Sequence, residues 1–262
     1  MIGKKMIKKC LLTCSVILAL MIMFELSFGT EKIRKTPQNY QPNYSFILYK
    51  SAKPAALNFA NETLPLGDKK VKVKMRLCLQ RHSFGNVQSD ILHRKAEQWF
   101  PIIEPILKAH GIPDDFKYIP LVEAGFGEGK SSRGAYGPWQ FMPGTARTYG
   151  LRVGKKHDER LDIRKSTIAA CKYLNELHGE FKSWVMVAAA YNTGSPNLAQ
   201  LVRSQKQANY FKMHMNRETG VYVYSLVAMK EIINHPMDYG YTTEKPILAM
   251  IAQHNADKLS FD

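Results

Sequence analysis

Residues 118–150 read YIPLVEAGFGEGKSSRGAYGPWQFMPGTARTYG, and this stretch is the most informative about the fold of the chain. It begins with apolar residues around Glu123, passes through a glycine-rich turn that ends in Gly-Lys-Ser, and then becomes rich in aromatic residues. The turn suggests a phosphate-binding loop, whereas a carboxylic acid followed by an aromatic loop suggests a sugar-binding cleft. The two alternatives make different demands on spacing.

The spacing disfavours the phosphate-binding loop. That motif needs a glycine, four residues and then Gly-Lys-Ser or Gly-Lys-Thr, because this length wraps backbone amides around the phosphates. Only three residues separate Gly125 from Gly129, and one position earlier the chain has Ala124 instead of glycine. Further glycines and Pro138 follow Ser131, so no helix N-terminus is predicted to face the loop.

Glu123 is the candidate acid of the second alternative. Its neighbours Ile119, Leu121, Val122 and Phe126 are apolar and are expected to remove water from the carboxyl group. Such desolvation raises a carboxyl pKa and keeps the group protonated near neutral pH, as a general acid requires. The alternative from composition alone is a glutamate at the solvent edge of an apolar helix.

The sequence on both sides of this stretch predicts a mainly α fold. Apolar residues recur every three or four positions from Ile91 to Leu107, although Pro101 and Pro105 are expected to bend or divide that helix. Asp114 is a fair N-cap for the segment that follows.

Further helices are predicted in the second half of the chain. An amphipathic pattern closes at Lys182, Ser183 can cap the apolar run that follows, and Gly194 is placed to end that run. Another helix stops before Pro236. Strand signals are few. Residues 71–75 alternate apolar and basic side chains as a strand does, but they fit a helix equally well.

The composition points to a folded, strongly basic protein. Hydrophobic residues make up 45% of the 262 positions, which is enough for a sizeable core. The formal net charge of +15 favours polyanionic partners, namely nucleic acid, an anionic membrane surface or an acidic polymer. Charge alone does not choose among them.

Residues 1–29 are expected to be a signal peptide or a membrane anchor. Lysines precede an apolar run from Cys10 to Phe24, which is shorter than the roughly 20 residues of a membrane span. Residues 30–56 predict a linker, residues 57–240 one domain and residues 241–262 a C-terminal tail. We therefore expect a periplasmic or cell-envelope protein, with possible membrane association through the N-terminus and no nucleic-acid partner.

No metal or other cofactor is predicted. The eight histidines are scattered, and neither His-Glu-x-x-His nor Cys-x-x-Cys occurs. Cys78 and Cys171 lie outside the signal, and a buried free thiol is favoured over a disulfide between them.

Five sequence blocks carry a family resemblance. In chain order they are Ile-Pro-Asp-Asp-Phe-Lys-Tyr-Ile-Pro-Leu-Val-Glu-Ala-Gly-Phe, Ser-x-x-Gly-Ala-x-Gly-Pro-Trp-Gln-Phe-Met-Pro-x-Thr-Ala, Asp-Glu-Arg-x-Asp, Ala-Ala-Tyr-Asn-x-Gly and Glu-Thr-x-x-Tyr-Val. Together they resemble the lytic murein transglycosylases of the membrane-bound D type, and the resemblance covers roughly residues 57–236. The resemblance implies a mainly α, lysozyme-like helical domain.

The same resemblance implies the site residues. Glu123 matches the family's single catalytic acid and base. The residues that match its substrate-binding positions are Ser131, Gly134, Ala135, Gln140, Tyr191, Asn192 and Tyr222. From the residues alone, Tyr191 and Asn192 fit helix capping as well. The chain departs from the family at Ala124, where serine is common. The serine hydroxyl that could orient the carboxyl group or the substrate is therefore missing.

The implied activity is cleavage of the β-1,4 bond between N-acetylmuramic acid and N-acetylglucosamine, with formation of a 1,6-anhydro ring. Peptidoglycan glycan strands would be the partner, and no cofactor is needed. One rival is a goose-type lysozyme-like hydrolase that uses Asp158 or Asp162 as a second carboxylate. Another is a non-catalytic peptidoglycan-binding protein in which Ala124 marks a decayed site. A structural role is favoured for the acidic and basic residues 158–162.

Overall fold

A computed structural model describes residues 56–87, 90–124 and 129–241, all of which belong to one unit, Pro42–Asp262. The predicted signal, nearly all of the linker and nearly all of the C-terminal tail lie outside the described residues. Glu128, a carboxylate close to Glu123 in the sequence, also lies outside them.

A short hairpin opens the described part of the chain. Strand β1, Asn58–Phe59, pairs antiparallel with β2, Glu62–Thr63. The carboxylate of Glu62 accepts hydrogen bonds from Ser183 Oγ at 2.7 Å and from the backbone N–H of Trp184, so it caps a helix far along the chain. The hairpin was not predicted, because strands of two residues are too short to show an alternating pattern.

Nine α-helices follow in the described residues. They are α1 Lys69–His82, α2 Phe84–Val87, α3 Ile91–Ala109, α4 Ile119–Ala124, α5 Pro143–Thr148, α6 Ile163–Phe181, α7 Trp184–Thr193, α8 Ser195–Gln205 and α9 Thr219–Asn234. Four short 3-10 helices lie between or after them: Asp114–Tyr118, Glu159–Leu161, Tyr210–Lys212 and Pro236–Tyr239. The predicted mainly α class is confirmed.

Helices α7 and α9 form the centre of the core. Residues 185–190 of α7 are all buried, and α9 packs against α1, α4 and α7. Helix α6 packs between α3 and α7. This packing brings the end of α7 and the beginning of α9 to the short helix α4, which carries Glu123.

The predicted ends of α6 and α7 are confirmed. Helix α6 closes at Lys182, whose φ of 61° is left-handed. Ser183 accepts a hydrogen bond from the backbone N–H of Met186, as an N-cap does, and Gly194 ends α7 with a φ of 85°.

The predicted division of α3 at its prolines is wrong, since the helix runs unbroken past Pro101 and Pro105. Both prolines are exposed, whereas Phe100, Ile103 and Leu107 on the other face are fully buried. The missing N–H groups therefore fall on the solvent side, and the buried face keeps the helix together.

Asp114 is not an N-cap, which corrects a second prediction. Pro113 occupies the cap position of the 3-10 helix, and Asp114 lies in its first turn. The Asp114 carboxylate instead accepts a hydrogen bond from Lys117 Nζ at 2.5 Å. A buried lysine needs a counter-charge, and this requirement prevails over the local capping preference.

The two described cysteines, Cys78 and Cys171, are both buried and free, as the sequence favoured. Among the described residues, no group of histidine, cysteine, aspartate and glutamate side chains is arranged to hold a metal ion. Within residues 56–87, 90–124 and 129–241, none of the helices has both the length and the apolar character of a membrane-crossing segment.

Candidate active site

Glu123 lies near the end of α4, where this helix packs against α9. Pro120 stands in the first turn of α4, where the missing N–H costs no helical hydrogen bond. The hydroxyl of Tyr222, in the first turn of α9, donates a hydrogen bond to Glu123 Oε1 at 2.6 Å. Two residues far apart in the sequence are thus brought into direct contact.

The pKa of Glu123 is raised to about 7, mainly by burial. The hydrogen bond from Tyr222 lowers this pKa, and the nearby charge of Glu218 raises it. The carboxyl group is therefore substantially protonated near neutral pH. Burial also raises the pKa of Tyr222 well above its usual value, so its hydroxyl remains a donor. A group with these properties is suited to give up and take back one proton.

Tyr191 and Asn192 end helix α7 beside the acid. The Tyr191 hydroxyl donates to the backbone carbonyl of Trp139 at 2.7 Å. Asn192 Oδ1 accepts from Thr219 Oγ1 at 2.9 Å, and its Nδ2 donates to Glu218 Oε1 at 3.1 Å. Both side chains therefore connect α7 to other segments, and the capping alternative does not describe these contacts.

The loop of residues 129–142 contains four of the predicted site residues and no helix. Ser131 Oγ accepts from the backbone N–H of Ala135 at 2.9 Å, and Gly134 takes a φ of 92° in this tight turn. Tyr136 pairs with Phe141 across a second turn, in which Gln140 has a φ of 46°.

The Gln140 side chain is oriented by its own loop. Its Nε2 donates to the carbonyl of Gly137 at 2.8 Å, while its Oε1 accepts no hydrogen bond from the described residues. Trp139 and Phe141 on either side are core residues, and Trp139 Nε1 donates to Thr167 Oγ1 at 2.9 Å. The hydrogen bond to Gly137 thus fixes the Gln140 amide and leaves its oxygen without a donor among the described residues.

The side chain of Arg160 stabilises this loop by hydrogen bonds. The guanidinium is buried and donates to both carboxylate oxygens of Asp158, at 2.9 and 2.7 Å. It also donates to the carbonyls of Gly134 and Phe141, each at 2.9 Å. A Cβ added to Gly137 would lie 1.9 Å from the Arg160 carbonyl oxygen, so the loop and Arg160 fit without spare space.

The predicted site residues border two separate cavities. We call the first the acid cavity: it has a volume of about 520 Å³, and Glu123, Asn192 and Tyr222 line it. We call the second the loop cavity: it has a volume of about 400 Å³, and Ala124 and Gln140 line it. Ser131, Gly134 and Ala135 line neither of these cavities and support the loop instead.

Comparison with known proteins finds a family match for part of the chain. Residues 100–214, which include all the predicted site residues except Tyr222, match the family model described as the transglycosylase SLT domain. These residues, which make up less than half of the chain, are thus similar to an SLT domain.

Two of the proteins that are similar to this chain carry lytic transglycosylase names. A stretch of 152 residues is 29% identical to the membrane-bound lytic murein transglycosylase D of Escherichia coli K12, covering 56% of this chain and 34% of that protein. The match thus spans about a third of the length of that curated relative. The lytic transglycosylase Slt of Pseudomonas aeruginosa, solved as an inactive mutant, aligns with a TM-score of 0.41 at 20% identity, over 66% of this chain and 31% of that one.

Three charged residues of the acid cavity were missed from the sequence. Arg81 on α1, together with Arg217 and Glu218 just before α9, lines it with Glu123. All three lie outside the residues that match the SLT domain model. Glu218 is detectable in principle, because it begins the Glu-Thr-x-x-Tyr block that contains Tyr222. No local pattern singles out Arg81 among the many basic residues of α1.

Proposed function

We propose that this chain is a peptidoglycan lytic transglycosylase that cleaves the bond between N-acetylmuramic acid and N-acetylglucosamine. The observation that carries the proposal is the geometry of Glu123, a carboxyl group with a pKa of about 7 that lines an open cavity and is hydrogen-bonded by Tyr222. The SLT domain and the names of the relatives support the same reaction class.

In this proposal Glu123 acts twice. As an acid it protonates the glycosidic oxygen, so that the bond to C1 of N-acetylmuramic acid breaks while the substrate's own acetamide stabilises the positive charge. As a carboxylate it then takes the proton from the C6 hydroxyl, whose oxygen bonds to C1 and closes the 1,6-anhydro ring. No water is consumed, and Glu123 ends protonated as it began.

The other site residues are assigned to substrate binding. We assign the amide oxygen of Gln140 to an acetamide N–H of the sugar, since Gln140 lines the loop cavity together with Ala124 and its Nε2 is already bonded to the loop. We assign Asn192 to the lining of the acid cavity, Tyr191 to holding the Trp139 carbonyl of the loop, and Tyr222 to orienting the acid. Ser131, Gly134 and Ala135 shape the loop that carries Gln140.

Hydrolysis by the rival mechanism would need a second carboxylate. Asp158 is fully engaged by Arg160, and Asp162 caps α6 by accepting from the backbone N–H of Lys165. Glu218 is the better candidate, because it lines the acid cavity. Product analysis of the variant Glu218→Gln separates the schemes: a single-acid mechanism keeps the anhydro product, and a two-carboxylate mechanism loses turnover.

The experiment that tests the proposal is digestion of purified sacculi, followed by mass spectrometry of the products. The wild-type chain is expected to release anhydro-muropeptides, and Glu123→Gln should lose about 10²- to 10⁴-fold in rate, as general acid catalysts do. Glu97→Gln, which changes an exposed glutamate on α3, is the matched control. Reducing ends instead of anhydro ends, or equal rates for wild type and Glu123→Gln, would reject the proposal.

Peptidoglycan glycan strands are the proposed partner, and the cell envelope is the proposed location. The basic composition fits a polymer that carries carboxylates. We also propose attachment to a membrane through residues 1–29. Fractionation of cells into membrane and soluble envelope material would test this attachment.

A further inference from the structure

Two arginines border the acid cavity from different parts of the chain. Arg81 comes from the last turn of α1, and Arg217 immediately precedes the Glu-Thr-x-x-Tyr block at the start of α9. Both arginine side chains are exposed, whereas Glu123, on α4 where this helix packs against α9, is half-buried. The cavity therefore combines a half-buried acid with two positive charges that solvent and ligands can reach.

Neither guanidinium has a hydrogen-bond or ion-pair partner among the described residues. Two buried or half-buried lysines elsewhere in the domain are paired: Lys117 with Glu104 and Asp114, and Lys230 with Asp115. Glu218 is adjacent to Arg217 in the sequence, yet its carboxylate accepts from Asn192. Two cations that no described residue pairs, at one cavity, leave room for an anion from outside the chain.

The chemistry of that anion follows from the cations. A guanidinium presents a planar fork of N–H donors that matches the two oxygens of a carboxylate. A glycan strand of the proposed substrate carries carboxylates on the lactyl ether of N-acetylmuramic acid or on the peptide attached there. Neutral N-acetylglucosamine units carry none.

We propose that Arg81 and Arg217 form a carboxylate-binding site for the anionic side group of the strand that enters the acid cavity. The inference rests on the proposed function and adds a specificity determinant to it. A carboxylate held there places the muramic acid side of the scissile bond over Glu123, and a strand without carboxylates lacks this anchor.

Binding to insoluble sacculi tests the inference without any turnover. The full-length chain carries Glu123→Gln to prevent digestion, with or without the pair Arg81→Gln and Arg217→Gln. Each protein is titrated against native sacculi and against sacculi whose carboxylates have been converted to neutral amides. The pair Lys155→Gln and Lys156→Gln, which removes the same charge from an exposed loop after α5, is the control.

We expect amidation to weaken binding of the parent about tenfold, in line with the strength of hydrogen bonds between charged groups. The arginine double variant should bind native and amidated sacculi equally, while the lysine control should behave as the parent does. Replacing both arginines by lysine keeps the charge but loses the fork, and should recover only part of the preference.

The inference is overturned if amidation affects the parent and the arginine double variant equally, or if the lysine control loses the preference to the same extent. It also fails if amidation leaves the parent unaffected. Thermal unfolding of each variant confirms that the exposed substitutions leave the fold intact. The proposed function is judged separately by the anhydro product of the wild-type chain, so either idea can fail without the other.

Discussion

The hydroxyl of Tyr222 donates a hydrogen bond of 2.6 Å to Oε1 of Glu123 and so ties helix α9 to the proposed acid. This bond stabilises the charged carboxylate, whereas burial and the charge of Glu218 stabilise the protonated form. The resulting pKa of about 7 is a balance of opposing effects, and each side of the balance can be changed separately.

Tyr222→Phe removes the hydrogen bond that lowers the pKa of Glu123. Without the hydrogen bond the pKa of Glu123 should rise above about 7, so the alkaline decline of activity should move to higher pH. The maximal rate should fall about tenfold, because the carboxyl group loses the bond that orients it. A pH–rate profile on sacculi measures both effects.

Tyr224→Phe is the matched control for this substitution. Tyr224 is a buried tyrosine on the same helix, and its hydroxyl makes no hydrogen bond to the acid. Its profile should coincide with that of the wild-type protein. An unchanged alkaline limb in Tyr222→Phe would show that the phenol does not set the acidity of Glu123.

The raised pKa of Glu123 also predicts how stability depends on pH. Between its ordinary pKa of 4.5 and its folded value of about 7, the folded protein retains a proton that the unfolded chain has lost. The free energy of unfolding should therefore fall as pH rises through this interval and become level above it. The contribution is on the order of 3 kcal/mol.

Glu123→Gln isolates this contribution, since the amide does not titrate. Urea unfolding of wild type and variant at pH 5 and pH 8 gives two differences in stability, in which the other titrating groups cancel. The variant should gain relative to the wild type at the higher pH. Equal differences at both pH values would mean that Glu123 ionises in the folded protein as it does in the unfolded chain.

Arg160→Met should destabilise the domain by about 3 to 5 kcal/mol, because it leaves Asp158 and two loop carbonyls without their buried partner. Arg94, paired with Asp90 on the surface, provides the comparison: Arg94→Gln should cost at most about 1 kcal/mol. Chemical unfolding measures both. Similar losses for the two variants would contradict a special role for Arg160.

Two glycines of the same region should respond to alanine in opposite directions. Gly137→Ala places a Cβ 1.9 Å from a backbone oxygen at a φ of 79°, so the loop must move and Gln140 with it. Gly144 lies inside α5 with open space around its Cα, and Gly144→Ala should stabilise the domain by about 0.5 to 1 kcal/mol. Melting temperatures that fall together would refute this contrast.

Local signals explain what the sequence alone predicts correctly. Ser183, Gly194 and Lys182 were placed at helix ends because capping depends on a few adjacent residues. The apolar surroundings of Glu123 likewise predict its desolvation, which the raised pKa bears out.

Long-range contacts explain what the sequence does not predict. The prolines of α3 predict a bend or a division of the helix, but packing of the opposite face on α6 maintains one undivided helix. The hydrogen bond from Tyr222 to Glu123 joins residues 99 positions apart, and Arg81 reaches the same cavity from still earlier in the chain. Such contacts depend on how helices pack, which periodicity does not specify.

The carboxylate of Glu62 caps the N-terminus of α7, the helix whose other end carries Tyr191 and Asn192. The working unit of this protein thus begins well upstream of residue 100, where the SLT match starts. A fragment trimmed to the matched residues 100–214 would keep Glu123 but lose the Glu62 cap on α7, so a fragment made for expression should begin before the hairpin.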